Sequence, residues 1–352
     1  MHGYLRFGLA MLVVLSHLDH GGGINVGVSA VVVFYLLAGY VVTNLLQKHF
    51  GRGRLLSFYA ERFLRIYPLY FTFLVMVSAF LFITHFGSPI FTPLKIMAQM
   101  TIVPLNYFMF FHTAVVRNYC ILPPAWSLGA ELQAYLFLPL IIRSTIAKWL
   151  VGFFSLILFS VAAIGECDRD TWGYRLLPGI LFIFLSGSAI AKSIKYPKIA
   201  DQFDRSFPVI CWTWLMGLLL ALTTMTHRLS PETAAVILGF IIGLPVVQFT
   251  SNSAVRLFKD GLVGSLSYGL FLIHLPVAWL FEYWVGHAPV TIGSIGVVFV
   301  SSVLLSFITS QTVERFIWPL REAITKKRPA NIGAKPEVEY GGSVEGESLK
   351  PS

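Results

Sequence analysis

Long apolar runs separated by short polar clusters dominate this chain. Runs near the ~20 residues that a helix needs to cross a bilayer core occur at 4–20, 26–47, 67–86, 126–146, 148–165, 176–191, 207–226, 232–250, 262–284 and 290–311. They predict ten transmembrane helices and no strand pattern of period two. An eleventh apolar stretch, Leu94 to Phe111, is interrupted by Pro104 and Asn106. A helix broken in this way is expected to be re-entrant or interfacial rather than spanning.

Charge placement separates the two sides. With ten spans and a cytoplasmic N-terminus, 21 of the 26 Lys and Arg residues fall on inner segments, and only Lys95, Arg117, Arg169, Arg175 and Arg228 fall outside. This is the asymmetry that orients membrane proteins. A full crossing by 94–111 would invert several basic clusters, so both termini are expected in the cytoplasm and 87–125 is expected to form an outward-facing lid. The chain divides into a transmembrane domain, 1–325, and a Pro-, Gly-, Ser- and Glu-containing tail, 326–352, expected to be disordered.

Composition agrees with an all-α integral membrane protein. Hydrophobic residues make up 56% of the 352 and charged residues only 12%, against roughly a quarter charged in soluble chains. The net charge of +9 lies in short loop clusters without a nucleic-acid motif, which argues against a nucleic-acid partner. Cys120, Cys167 and Cys211 have no metal-ligand spacing, and no metal is expected. Cys120 and Cys167 both fall outside, where a disulfide is an open expectation. The first run ends in Asp19, His20 and three glycines without a small-x-small cleavage site, so it is expected to be retained.

Polar residues inside apolar spans carry the candidate chemistry. Arg6 and His17 are eleven residues apart, close to three helical turns, so they share a face about 16 Å apart along the axis. Together they suggest a polar central tunnel, although a membrane histidine can also serve only to bond a neighbouring helix. Arg62 and Arg65 are expected in a basic turn closed by Pro68 at the start of the third helix. They would hold phosphates, or else act as topogenic or lipid-contacting charges. Ser127, Glu131 and Tyr135 form a polar stripe at i, i+4 and i+8. A carboxylate at that depth needs a histidine, an arginine or a substrate hydroxyl as partner. Ser265, Ser267, Tyr268 and His274 recur in the ninth predicted helix, where His274 reads equally as packing or as pore lining.

With these residues assembled, the chain resembles the membrane-bound acyltransferase 3 family, which O-acylates surface carbohydrates and related acceptors. The likeness rests on Arg6 with His17, the stretch GVSAVVVFYLLAG from Gly27 to Gly39, ERFLRIYP from Glu61 to Pro68, WSLGAE from Trp126 to Glu131 and SLSYGLFLIHLP from Ser265 to Pro276. Two departures stand out. Phe7 follows Arg6 where the family has glycine, and Ala38 occupies a common serine position. Neither removes an ionisable group.

The resemblance implies a cytoplasmic acetyl-CoA or other acyl-CoA donor and a carbohydrate acceptor outside the cytoplasmic (inner) membrane. The expected catalytic residues are His17 as base and Glu131 as the group orienting it or the acceptor. Arg6, Arg62 and Arg65 would bind the donor, and Trp126, Ser127, Tyr135, Tyr268 and His274 would contact substrate. Membrane lipids surround the protein, and glycan-assembly proteins would be further partners. Direct transfer is simpler than an acyl-enzyme, with a relay through acylated His17 left open. The rival readings are a transporter or flippase of a polyprenyl-linked sugar or small metabolite, and a scaffold in a glycan-assembly complex.

Overall fold

The computed structural model describes residues 2–18, 24–50, 54–87, 91–110, 121–224, 229–252, 260–286 and 291–326. Among them the regular structure is entirely helical. In order these are α1 (His2–Leu18), α2 (Val26–Leu45) with a π turn (Leu46–Phe50), α3 (Leu55–Thr84), α4 (Pro93–Thr101) and a 3₁₀ segment (Val103–Phe110). There follow α5 (Ala125–Ile141), α6 (Thr145–Ile164), a π turn (Thr171–Arg175), α7 (Leu177–Lys195), α8 (Gln202–Thr224), α9 (Pro231–Asn252), α10 (Asp260–Val285) and α11 (Ile292–Lys326). Eight of the described helices are long and apolar enough to cross a membrane; α1 and α5, at 17 residues each, are shorter than these. Residues 327–352 of the expected tail and Cys120 lie outside the described residues, as do 88–90 and 111–120 of the 87–125 stretch.

Each of the ten apolar runs has a helix, although α5 ends at Ile141 within the run expected to reach 146, and two helices are much longer than their hydropathy suggested. The third helix was expected to start at 67, with Arg62 and Arg65 in a turn and Pro68 at its beginning. Instead α3 starts at Leu55 and runs through Pro68, so both arginines are helical. In a membrane an unpaired backbone group is so costly that a helix tends to continue past a proline, and Arg62 is neutralised by its neighbour Glu61 and Arg65 by Glu314 of α11. That last helix continues to Lys326 through Pro319, well past the expected end at 311. The stretch 94–111 forms two short pieces hinged at Ile102, whose φ is 64°.

The centre of the bundle is α2 flanked by α7 and α9. Asn25 caps α2 by accepting from the N–H groups of Gly27 and Val28 at 3.0 and 3.2 Å. Small residues let the backbones meet. A Cβ on Gly39 would lie 1.9 Å from the Phe184 carbonyl oxygen, and one on Gly187 would lie 1.9 Å from that of Leu36. This reciprocal contact, with Thr43 Oγ1 donating to Ser188 Oγ at 2.7 Å, sets α2 and α7 side by side in the same direction. Large apolar side chains such as Leu150, Phe154 and Ile157 of α6 project outward, as a lipid-facing surface requires.

Helices α1 and α10 also run parallel and in register. Gly3 N–H donates to Asp260 Oδ1 at 3.0 Å at one end, and the His17 and His274 rings meet at the other, both pairs 257 residues apart. Parallel directions require an odd number of reversing helices between them. Counting α2, α3 and α5 to α9 gives 2 + 5 = 7; a crossing by 94–111 would make eight. The described part of that stretch instead docks on α5: buried Asn106 donates to Arg175 O at 3.0 Å and accepts from Gln133 Nε2 at 3.1 Å.

Candidate functional site

A cavity of about 100 Å³ opens where α1, α2, α3, α5 and α10 converge. Its polar wall holds Arg6, Arg62, Arg65, Glu131 and Tyr135, while Val31, Phe34, Ile66, Leu128 and Phe271 supply an apolar part. The volume is well below the roughly 300–1,000 Å³ of pockets that enclose whole ligands. It can take the end of a substrate, not all of one.

Arg62 and Arg65 are held by a chain of ion pairs between α3 and α11, buried at Glu61 and Arg62 and half-buried at Arg65, Glu314 and Arg321. Arg62 Nε donates to Glu61 Oε2 at 2.6 Å, and Arg321 Nη2 donates to Glu61 Oε1 at 2.9 Å. Arg321 Nη1 also reaches Glu314 Oε2 at 3.2 Å, and Arg65 pairs with Glu314 Oε1. Glu131 accepts from the Tyr135 hydroxyl, whose ring lies under the Arg62 guanidinium at 5.6 Å. Four arginines (6, 62, 65, 321) thus face three glutamates (61, 131, 314), a formal excess of one positive charge. Buried charges kept this close to balance fix geometry more than they add stability. They also leave a net field that favours an anionic ligand at the mouth.

His17 and His274 lie outside that cavity wall. His274 is fully buried and His17 is exposed at the end of α1. His274 Nδ1 lies 3.2 Å from Leu270 O, its Nε2 lies 3.3 Å from His17 Nδ1, and His17 Nδ1 lies 2.9 Å from Val13 O. One assignment of neutral tautomers satisfies all three contacts: His274 Nδ1–H donates to Leu270, and His17 Nδ1–H is shared between Val13 O and His274 Nε2. The lone pair of His17 then sits on Nε2. Phe271, one turn from His274, packs edge-on against Phe34 with centroids 5.9 Å apart, and both rings line the cavity.

The remaining expected site residues divide between the two regions. Ser127 and Tyr268 line the cavity, their hydroxyls bonded to Pro124 O at 3.0 Å and Ile66 O at 3.1 Å. Trp126 stands apart. Its indole lies 4.4 Å from the Arg175 guanidinium carbon and against Tyr174, so one ring face is already covered. Glu131 sits with the arginines and Tyr135, while His17 has His274 as its side-chain partner. Among the described residues no group of three or more His, Cys, Asp or Glu converges as a metal site would.

A family model described as an acyltransferase domain, of the acyltransferase 3 type, matches residues 3–311, which includes both regions. The chain belongs to the acyltransferase 3 family. Among relatives of this acyltransferase 3 protein, an uncharacterized Aquifex aeolicus protein is 28% identical over 61% of this chain and 96% of its own length. A provisionally named O-acetyltransferase of Staphylococcus aureus strain COL is 25% identical over 83% of this chain and 52% of its own. The peptidoglycan O-acetyltransferase OatA of Listeria monocytogenes is 23% identical over 77% of this chain and 48% of its own. The chain therefore spans about half the length of these two O-acetyltransferases. No solved structure matches.

Four residues of the site were not read from sequence. Glu61 adjoins Arg62 and could have been paired with it by eye. Glu314 and Arg321, seven apart on one helical face, were hidden because the apolar run ends before them. Tyr35 stands inside an unbroken apolar run and gives no signal.

Proposed function

We propose that this protein is a multi-pass membrane O-acyltransferase that moves an acyl group, most simply acetyl, from a cytoplasmic coenzyme A thioester to a saccharide hydroxyl on the outer side. The observation that carries this reading is the placement of an arginine-lined cavity and a histidine pair along the same two parallel helices. On α1, Arg6 and His17 are eleven residues, or about 16 Å, apart. The ten-span topology with inner termini agrees with the helix directions and with the basic residues on one side. The names of the Staphylococcus and Listeria relatives support O-acetyl transfer, the latter to a glycan.

In this reading the diphosphate and nucleotide of the donor rest at the guanidinium mouth, where the excess positive charge lies. The small cavity admits the thioester end. His17 Nε2 accepts the proton of the acceptor hydroxyl. The hydroxyl oxygen bonds to the thioester carbonyl carbon, the carbon–sulfur bond breaks, and coenzyme A leaves as the thiol after taking that proton from the imidazolium. His274 fixes the His17 tautomer, as a third group orients the base in other acyl-transfer sites. Glu131 and Tyr135 hold Arg6 and Arg62 in place.

Purified protein is expected to release thiol from acetyl-CoA only when a saccharide acceptor is present, with the acceptor gaining one acetyl group by mass spectrometry. Movement of labelled saccharide into vesicles without thioester consumption would identify a carrier instead. The histidine pair gives a second expected result. Substituting His274→Phe fills the buried site with a slightly larger apolar ring and removes one of the two acceptors of His17 Nδ1–H, leaving Val13 O. The net value of one such bond, about 1 kcal/mol, corresponds to a roughly fivefold to tenfold lower kcat. KM for the thioester should stay constant, and a rise in KM alone would place His274 in donor binding.

A further inference from the structure

Tyr35 on α2 forms part of the cavity wall, is 2% exposed, and packs its ring on Phe184 with centroids 4.8 Å apart. Its hydroxyl is buried and has no hydrogen-bond partner. The neighbouring wall hydroxyls are all bonded: Tyr135 to Glu131, Tyr268 to Ile66 O, Ser127 to Pro124 O and Ser267 to Gly264 O. A buried hydroxyl left unsatisfied weakens a fold, and phenylalanine in the same place would pack as well without that cost. The hydroxyl therefore looks kept for a ligand.

Its position narrows what that ligand atom is. Helix α2 runs antiparallel to α1, with Gly27 against Ser16, and its side chains tilt back toward its N-terminus. The Tyr35 hydroxyl thus points from the cavity toward the histidine end. Glu131 shares the cavity wall with it, and Glu131, Tyr174 and Arg175 all act on it electrostatically. A neutral phenol here can donate to an acceptor atom. Next to the Glu131 carboxylate a neutral carbonyl oxygen is favoured over a phosphate oxygen, which like charge would repel.

We propose that Tyr35 is a catalytic residue that donates its O–H to the carbonyl oxygen of the thioester, polarising the carbon that the acceptor hydroxyl attacks. This rests on the reading above that the thioester end enters this cavity. The bond would strengthen as the carbonyl oxygen gains negative charge, so the hydroxyl would act on turnover more than on affinity.

The test is Tyr35→Phe, assayed for thiol release and acceptor acetylation beside the unsubstituted protein. The expected result is a kcat about tenfold lower, an acetyl-CoA KM within twofold, and a melting temperature in the absence of ligand that is unchanged or higher. A purely structural tyrosine would not separate activity from stability in this way. A binding measurement uses acetonyl-coenzyme A, which keeps the carbonyl but cannot transfer its acyl group. It should stabilise the unsubstituted protein more than coenzyme A does, and the difference should vanish in Tyr35→Phe. An unchanged kcat overturns the proposal. So does a raised KM at constant kcat, which would put the hydroxyl on an amide of the carrier arm. If the unsubstituted protein neither binds nor consumes the thioester, the functional reading itself fails; if it does both and Tyr35→Phe keeps pace, only the role of Tyr35 fails.

Discussion

Substituting His17→Ala is expected to lower acetyl transfer by about a thousandfold, within the range of roughly 10² to 10⁴ ascribed to a positioned general base, while the protein stays folded. Both halves of the expectation follow from geometry. His17 is exposed in the last turn of α1, so its loss leaves no cavity in the core, and His274 keeps its bond to Leu270 O at 3.2 Å. Turnover at saturating thioester, with helix content and elution profile as controls for folding, checks it. A variant keeping more than a tenth of the activity would mean that another group takes the proton. Intact-mass analysis of the unsubstituted protein after rapid quench separates the two chemical routes, because an acyl group on His17 would add its mass to the chain and direct transfer would not.

The second large effect is structural. Gly39→Ala places a methyl carbon 1.9 Å from the carbonyl oxygen of Phe184, an atom locked in the ladder of α7. No rotamer relieves a clash with backbone, so α2 and α7 must separate. The cost should reach or exceed the ~3 kcal/mol seen at the upper end of overpacking, read as loss of monodisperse protein and a lower melting temperature. Gly187→Ala should behave alike through Leu36 O, also at 1.9 Å. The control is Gly217→Ala on α8, whose added methyl meets nothing within 4 Å and whose effect should be neutral or slightly stabilising.

Much of this arrangement was legible because lipid imposes a simple rule: apolar runs of spanning length become helices. The ten runs and the broken 94–111 stretch followed from hydropathy and from the placement of Arg and Lys. Arg6 and His17, chosen for their spacing, lie at opposite ends of α1. What hydropathy misread were charges that belong to helices. Arg62 and Arg65 looked like a loop because a charged pair beside a proline resembles a break. Their helical state depends on Glu61, Glu314 and Arg321, and the last two come from about 250 residues away. No local window contains such a partner. The same applies to His274, which spacing alone left undecided between packing and lining until α10 was seen beside α1. Trp126, an aromatic expected to meet substrate, carries Arg175 on its ring, a contact that no local window contains either.

The edge-on contact of Phe34 with Phe271 has a consequence for the cell rather than for the chemistry. A polar route through a membrane protein would offer protons and small ions a path down their electrochemical gradient. Two aromatic rings 5.9 Å apart form part of the apolar lining of the cavity, a surface that holds water poorly. In the acyl-transfer reading proposed above, such an apolar collar would keep a membrane that reagents approach from both sides closed to ions.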